Sequence, residues 1–348
     1  MTEIINCKKE YDRAVQQAAK MIAAGEIVAF PTETVYGLGG DAMDPLAIAK
    51  IFAVKGRPSD NPLIVHISEI GQTGLVAREI PPLAHKLMET FWPGPFTVVL
   101  KKRPDVPGVV TGGLDTVAVR MPHNMVARDI IQASGRLVAA PSANLSGRPS
   151  PTRAQHVLED FKDHISLIID GGECSVGVES TVCDATGNVP LILRPGGVTA
   201  EMIKKAAGDV RVHPAVLGEL KEEAAASPGM KYKHYAPKAQ IVVVTGPDGD
   251  VVQKIHEMYF NCEDKCAIMC LHANIPSYAG KNVIDMGAGN KEAAHNLFAV
   301  LRDIDNQGYE NVFFHAVATD EMGLALMNRM MRAAGHTIIN AAKEVKID

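Results

Sequence analysis

Short β-rich runs alternate with helix-like segments along most of the chain, and this alternation limits the possible folds more than any other feature. Residues 11–24 place small and apolar side chains on one side of a helix that ends at Gly25, which favours a left-handed cap. Asp44 and Pro45 are typical of an N-cap followed by the first helical residue. Some consecutive β-rich runs have a helix between them and others do not. The pattern therefore predicts an α/β fold built on a mixed sheet flanked by helices.

The predicted elements of this first part are short. The predicted strands are 27–30, 63–67, 96–100, 116–121, 137–140, 167–170, 181–184 and 191–194. The predicted helices that lie between some of them are 44–54, 82–91, 124–134, 153–161 and 200–207.

Residues 214–238 break the alternation, since Ala, Glu, Pro and Gly accumulate there without a sustained apolar period. A second α/β rhythm then begins, with predicted strands near 241–244, 267–271, 282–286 and 312–315 and predicted helices near 249–260, 291–305 and 321–333. We therefore predict a first domain over 1–213, a linker over 214–238 and a smaller Rossmann-like α/β domain over 239–348.

Composition excludes several classes of protein. The 348 residues are 47% hydrophobic, yet no apolar run is long enough to span a membrane. The start MTEIINCKKE does not resemble a signal peptide, and six cysteines in a chain of this length are not a disulfide framework. We expect a cytoplasmic location and no membrane partner. Residues 239–348 carry 9 basic against 14 acidic residues, so this part is a poor nonspecific binder of nucleic acid.

Two segments of the first part combine polar side chains with turn residues. PTETVYGLG at 31–39 follows a strand and carries hydroxyl groups before glycine, as ligand loops of open α/β sheets do, although a polar turn fits as well. KGRPSDNPLIVH at 55–66 holds Lys55 and Arg57 just past a helix, between stiffening prolines. A guanidinium can grip phosphate oxygens in pairs and an ammonium acts as a movable charge, which favours an anion site over a solvated basic loop.

Further candidate residues follow other strands. DTVAVRMPH at 115–123 puts Thr116, Ala118 and Arg120 on one face of a strand. A buried arginine needs a carboxylate, either from the substrate or from an internal salt bridge. VAAPSANLSGRPSPT at 138–152, EST at 179–181 and RPGG at 194–197 repeat the pattern of a strand end with polar groups and small residues.

Several familiar sites are absent from the sequence. It contains no GxxxxGK[ST] loop, no GxGxxG fingerprint and no HExxH motif. Cys262, Cys266, Cys270 and His272 suggest a metal site, but a strand over 267–271 would divide these side chains between two faces. We therefore predict no protein-bound metal.

Taken together and in this order, the segments resemble the YrdC-like family, and within it the two-domain threonylcarbamoyl-AMP synthases. The resemblance runs through about residues 10–210, and the linker end SPGMKYKHYAP with the trailing small domain is typical of the long form. The matching segments are PTETVYGLG, KGRPSDNPL, DTVAVRMP, APSANLSG, EST and LRPG.

The resemblance implies synthesis of threonylcarbamoyl-AMP from L-threonine, bicarbonate and ATP, with release of pyrophosphate. Mg²⁺ is expected with ATP, without an assignable protein ligand, and partner transferases would move the product group to adenosine 37 of tRNA. Whether the chain binds tRNA directly stays open. The implied catalytic residues are Lys55 and Arg57, and the implied threonine ligands are Thr34, His66, Arg120 and Ser180. The implied nucleotide ligands are Arg57, Asn61, Thr116, Ala140, Ser142, Asn144, Ser150, Arg194 and, as a lid residue, Tyr235.

Two rival functions differ in class. An RNA-binding module would use a basic concave surface, but aromatic residues are 5% of the chain and no RNP-like stacking motif is present. Carbamoyl transfer from carbamoyl phosphate, as in hydrogenase-maturation proteins with a YrdC-like domain, would be accompanied by cysteine pairs that this sequence lacks.

Overall fold

The computed structural model describes residues 1–216, 218 and 235–343, which form two compact units. The first unit comprises residues 1–146 and 150–232, and the second comprises 147–149 and 233–348. Most of the predicted linker, residues 217 and 219–234, lies outside the described residues. The predicted boundaries at 213 and 238 therefore stay predictions.

The first unit is built on a mixed sheet, and its eleven described strands lie in the order β1-β8-β2-β3-β7-β4-β6-β5-β9-β10-β11. Parallel pairs such as β4 with β6 alternate with antiparallel pairs such as β5 with β6, as the sequence predicts. The strands are β1 (Glu3–Asn6), β2 (Val28–Phe30), β3 (Gly37–Asp41), β4 (Ile64–His66), β5 (Phe96–Lys101), β6 (Thr116–Arg120), β7 (Val138–Ala139), β8 (Leu167–Asp170), β9 (Thr181–Asp184), β10 (Leu191–Arg194) and β11 (Arg211–Val212).

The helices of this unit cover the sheet. They are α1 (Tyr11–Ala23), α2 (Pro45–Lys55), α3 (Pro82–Phe91), α4 (Gly108–Thr111), α5 (Met125–Ser134), α6 (Ala154–Phe161) and α7 (Ala200–Ala207), with 3₁₀ turns at Ile70–Leu75 and Pro214–Val216.

Local signals in the sequence set the ends of these helices. The Asp44 carboxylate accepts a hydrogen bond from the Leu46 amide at 2.9 Å, and Gly56 ends α2 in the left-handed region at φ 59°. Asn124 caps α5 by accepting from the Ala127 amide. These caps satisfy backbone groups that would otherwise lack partners. The helices predicted in this unit begin and end within one or two residues of the prediction, whereas α4 was not predicted.

Apolar side chains fill both faces of the sheet. Helices α2 and α3 pack on a large cluster that includes Leu38, Val65 and Val119, and α1 and α5 pack on a second cluster around Val28 and Phe30. A small third cluster that includes Ile64, Val99, Ala118 and Val182 lies beside the polar groups described below.

The second unit contains a five-stranded sheet of described strands in the order β14-β13-β15-β12-β16, and every pair is parallel. This all-parallel α/β unit agrees with the predicted Rossmann-like domain. Its elements are β12 (Gln240–Thr245), α8 (Asp248–Phe260), β13 (Cys266–Cys270), β14 (Val283–Asp285), α9 (Asn290–Gln307), β15 (Asn311–His315), α10 (Glu321–Ala333) and β16 (Ile338–Asn340), with 3₁₀ turns at His272–Tyr278 and Ala341–Lys343.

Strand β3 is the main difference from the predicted elements, because sequence patterns placed its glycines in a turn. Glycine is disfavoured in strands, but here the space beside the strand demands it. A Cβ atom on Gly39 would lie 2.5 Å from Phe30 Cε1 and 2.6 Å from a Val138 methyl group. The aromatic ring of Phe30 thus fills the position of the absent side chain. Short strands β1, β11 and β16 were also not predicted.

The helices that the model describes include none with the length and apolar character needed to cross a membrane.

Candidate active site

Polar side chains from three neighbouring strands share one face of the first sheet. In the sheet register, His66 on β4 lies beside Arg120 on β6, and Arg120 lies beside Thr97 on β5. Because side chains alternate between faces, Ala118 and Val99 continue the same face as an apolar patch. The fold therefore brings the predicted residues His66 and Arg120 together.

From the sequence, Arg120 could pair either with a substrate carboxylate or with a carboxylate of the protein, and the structure shows an internal salt bridge. Its Nη2 atom lies 2.7 Å from Oε1 of Glu33, and the two side chains are 4% and 6% exposed. Nη1 donates to Thr34 Oγ1 at 2.9 Å, and Nε donates to the carbonyl of Gly94 at 3.2 Å. Burial, the largest single cause, raises the pKa of the Glu33 carboxyl. The charge and hydrogen bond of Arg120, together with backbone hydrogen bonds, lower it, and the net pKa lies below its ordinary value. Glu33 was not predicted as a site residue, although its position inside PTETVYGLG was a signal.

His66 is a neutral imidazole in this cluster. Burial, followed by the nearby Arg120 guanidinium, lowers its pKa to about 3. Its Nδ1 atom lies 3.1 Å from the carbonyl oxygen of Ile64. At neutral pH the ring can therefore offer hydrogen bonds to a ligand but no positive charge.

Ser180 is held from two sides where the chain enters β9. Its hydroxyl oxygen lies 2.8 Å from that of Thr97, and Arg194 donates to both the carbonyl and the hydroxyl of Ser180 at 3.0 and 3.2 Å. All three side chains are buried. Thr97 was missed by the sequence analysis, although a single threonine inside the apolar run FTVVL was a visible signal.

Lys55 joins two of the predicted motifs. Its ammonium donates to the carbonyl oxygens of Ser142 and Asn144, and it is 2% exposed. Burial and the charge of Arg57 lower its pKa. The prediction that Lys55 lies past the helix as a movable charge is wrong, because the residue is the last of α2 and its amine is fixed against main-chain oxygens. Its catalytic role stays a prediction.

Arg57 and Asn61 lie in the loop that follows. The guanidinium of Arg57 donates to the carbonyls of Asn61 and Pro62 at 3.3 and 3.1 Å. The Asn61 side chain is 1% exposed, and neither Oδ1 nor Nδ2 has a hydrogen-bond partner among the residues that the structure describes. Buried amides almost always have hydrogen-bond partners. The amide oxygen and nitrogen of Asn61 are therefore both available to a ligand.

The other predicted nucleotide residues of this unit lie at the start of β6 and in the loop that follows β7. Ser150 donates to the Glu179 carboxylate at 2.6 Å, and both side chains are buried. Asn144 donates to the Leu145 carbonyl. Thr116 begins β6, and Ala140 and Ser142 follow β7. Their role as nucleotide ligands stays a prediction.

Tyr235 belongs to the second unit, where its ring packs 5.1 Å from that of Phe298 and 5.9 Å from the guanidinium carbon of Arg329. Most of the lid segment that precedes it lies outside the described residues. Its predicted place over the nucleotide stays a prediction.

Metal ligands are not grouped in the described part of the chain, where no three His, Cys, Asp or Glu side chains are arranged to hold an ion. Cys266 and Cys270 are buried on β13, and His272 instead pairs with Asp285 at 2.7 Å. In the first unit, Glu33 and Glu179 already engage Arg120 and Ser150.

Known proteins similar to this chain fall into one family. A family model described as telomere recombination, for Sua5, YciO and YrdC proteins, matches residues 20–196. A second model, described as the C-terminal domain of threonylcarbamoyl-AMP synthase, matches residues 198–335.

Individual relatives match over nearly their whole length. A threonylcarbamoyl-AMP synthase of Pyrococcus abyssi is 48% identical over 340 residues, which are 97% of this chain and 99% of the relative. One from Bacillus subtilis is 41% identical over 331 residues, 94% of this chain and 95% of the relative. The crystal structure of Pyrococcus abyssi Sua5 with L-threonine superposes with a TM-score of 0.90 at 47% identity, covering 97% of this chain and 99% of the other.

Proposed function

Because the chain belongs to the two-domain threonylcarbamoyl-AMP synthases, we propose that it joins L-threonine, bicarbonate and ATP. The products are threonylcarbamoyl-AMP, pyrophosphate and water, which makes the enzyme a nucleotidyltransferase. Full-length similarity to synthases of the same name supports the activity. In the structure, the buried polar cluster on one sheet face is the observation that carries the proposal.

The threonine subsite is assigned to Thr34, His66, Arg120 and Ser180. Arg120 binds the α-carboxylate, because its positive charge lies beside His66 and its position is fixed by Thr34 and Gly94. The neutral His66 ring and the Ser180 hydroxyl add hydrogen bonds without adding charge. The cluster therefore combines the charge of Arg120 with hydrogen bonds from neutral side chains, which suits a small polar amino acid.

The chemistry needs alignment and charge stabilisation more than a strong base. The threonine amine takes up bicarbonate carbon as a carbamate, whose oxygen then attacks the α-phosphorus of ATP while pyrophosphate leaves. Since the carbamate is already anionic, the protein must hold three anionic groups in line and stabilise the charge on the phosphate oxygens. Arginine, hydroxyl and amide side chains supply this, and the described site contains them in place of a serine–histidine–aspartate triad.

The nucleotide subsite is assigned to the residues around Arg57 and the 142–150 loop. Asn61 supports this assignment, since its buried amide lacks a partner among the described residues and matches a ligand that offers both a donor and an acceptor. Lys55 holds the loop that carries Ser142 and Asn144. Mg²⁺ bound to ATP would neutralise part of the phosphate charge, and none of the residues of this subsite is assigned as its ligand.

Further parts of the proposal extend beyond this unit. Tyr235 belongs to the proposed nucleotide ligands, on the sequence resemblance of SPGMKYKHYAP to the linker of the family. Transferase partners then pass the threonylcarbamoyl group to tRNA, and the reaction takes place in the cytoplasm.

The proposal is tested by pyrophosphate release from ATP and Mg²⁺, measured with and without L-threonine and bicarbonate, with L-serine as the comparison. We expect release that requires both co-substrates. Release that ignores threonine would indicate another acceptor or a pyrophosphohydrolase. No release, combined with RNA binding that ATP and threonine leave unchanged, would favour the RNA-binding alternative.

A sharper test uses Asn61→Leu, which replaces an unpartnered amide with an apolar group of similar size. Such a change costs little stability because no protein hydrogen bond is lost. We expect the KM for ATP to rise about tenfold or more, since the ligand loses a buried partner, while the midpoint of urea unfolding stays the same or increases. An unchanged KM for ATP would remove Asn61 from the nucleotide subsite.

A further inference from the structure

Glu33 is the buried carboxylate beside Arg120, the proposed ligand of the threonine carboxylate. Its Oε1 atom lies 2.7 Å from Nη2 of Arg120, and both side chains are almost completely buried. Despite this short distance, neither atom makes a well-aligned hydrogen bond within the described residues. Oε1 therefore keeps the capacity to accept a hydrogen bond from another donor.

The position of Glu33 is fixed by its surroundings. Its carbonyl accepts from the Val176 amide at 2.8 Å, and its Oε2 atom accepts from the Asn124 amide at 3.4 Å. Asn124 is the N-cap of α5, where the helix dipole favours an anion. Burial raises the pKa of the carboxyl, but Arg120 and hydrogen bonds from the backbone of Glu33 and His123 keep it below its ordinary value. Glu33 is thus an ionised, rigidly held carboxylate.

The ion pair places adjacent opposite charges beside Thr34, one of the residues assigned to the threonine subsite. A free α-amino acid carries the same arrangement, since its carboxylate and its ammonium are attached to one carbon atom. If the carboxylate binds Arg120, the ammonium can lie beside Glu33, so that each substrate charge faces its opposite. In a buried site, where water screens charges weakly, this matching decides which ligands are accepted.

We propose that Glu33 receives the α-ammonium of threonine and makes the subsite selective for zwitterionic amino acids over simple carboxylic acids. This inference rests on the proposed function, which places the substrate carboxylate on Arg120. With Glu33 present, the pair is neutral overall and suits a ligand whose own charges balance. Without its charge, the buried Arg120 guanidinium is uncompensated and favours an anion.

Removing the charge of Glu33 should therefore reverse the ligand preference of the site. The experiment compares wild type with Glu33→Gln, using L-threonine and 2,3-dihydroxybutanoate, which has a hydroxyl in place of the ammonium. In the variant we expect the KM for threonine to rise about tenfold or more, and the inhibition constant of the dihydroxy acid to fall by a similar factor. The KM for ATP should stay within about twofold, since the nucleotide residues are unchanged.

The control is Glu173→Gln, which removes another glutamate–arginine pair of the same unit. Glu173 pairs with Arg153 at 2.8 Å, but both side chains are about half exposed. We expect this variant to match wild type for both ligands. If Glu33→Gln weakens both ligands alike, or changes neither, Glu33 has only a structural role and the inference is overturned.

A second measurement needs no variant, in case Glu33→Gln does not fold. The thermal unfolding of wild type is followed with L-threonine and with the dihydroxy acid. We expect threonine alone to raise the midpoint, and equal stabilisation by both ligands would overturn the inference. A wild type that binds threonine in this assay but releases no pyrophosphate would refute the proposed function while leaving the role of Glu33 intact.

Discussion

Replacing Lys55 with methionine tests whether this buried lysine acts on the substrate or on the protein. The structure places its ammonium on the carbonyl oxygens of Ser142 and Asn144, and the Ser146 amide donates to the Lys55 carbonyl at 2.9 Å. Methionine keeps the apolar stem but cannot donate. The variant should therefore release the 142–146 loop from the end of α2 without leaving a large cavity.

The size of the effect follows from the two lost hydrogen bonds. A hydrogen bond from a charged donor contributes roughly 1.5–3 kcal/mol, and water can partly replace the lysine once the loop opens. Two hydrogen bonds at the lower value of about 1.5 kcal/mol each contribute about 3 kcal/mol together. Since about 1.4 kcal/mol is a tenfold change, the loop should open roughly a hundredfold more often.

Hydrogen exchange measures this opening directly. In Lys55→Met we expect the protection of the amides at 142–146 to fall by about two orders of magnitude, with loss of pyrophosphate release. Lys50→Met is the control, because Lys50 on the same helix also donates to a backbone carbonyl, that of Gly25, but its side chain is 42% exposed. Unchanged protection in an inactive Lys55→Met protein would refute the anchoring argument and favour direct action on the substrate.

Three other perturbations follow from the described contacts. Arg57→Ala should lower turnover about a hundredfold in the pyrophosphate assay, because an oriented charge is lost from the nucleotide subsite. Burial lowers the pKa of His66 from 6.5 to about 3. As the pH drops, the His66 side chain therefore takes up a proton in the unfolded chain before it does so in the folded protein, and the free energy of unfolding falls between about pH 6.5 and about pH 3. Urea titrations of His66→Gln should lack this part of the acid dependence. Gly196→Ala should weaken threonine binding and lower the free energy of unfolding, since the new Cβ atom would lie 2.5 Å from the carbonyl carbon of Ser180. The control Gly187→Ala adds a Cβ atom in open space, so its threonine binding and its unfolding should resemble those of wild type.

The sequence predicts the elements of this fold well where hydrophobic period and capping agree. Helix α10 begins and ends at the predicted residues, and α1 and α2 end one residue from the prediction. Strand β3 could not be predicted in this way, because its glycines are required by a ring that approaches from Phe30, a contact between separate strands. Local patterns carry no information about such an approach.

The same distinction applies to the candidate site. Motifs identified Arg120 and Lys55, but their partners depend on three-dimensional contacts. The pairing of Arg120 with Glu33 joins residues 87 positions apart. The sequence indicated only that a buried arginine needs a carboxylate, and not which carboxylate it would be. Thr97 became a candidate only when the sheet register placed it beside Arg120.

The bonds of Lys55 to main-chain oxygens have an evolutionary consequence. Every amino acid at positions 142 and 144 supplies the same carbonyl group, so this anchor does not depend on the side chains there. Mutations at these two positions can thus change what the loop recognises while it stays attached to α2. Because of this lysine, the ligand preference of the loop can change during evolution without loss of folding. Variants randomised at 142 and 144 should therefore remain folded far more often than variants randomised at 55.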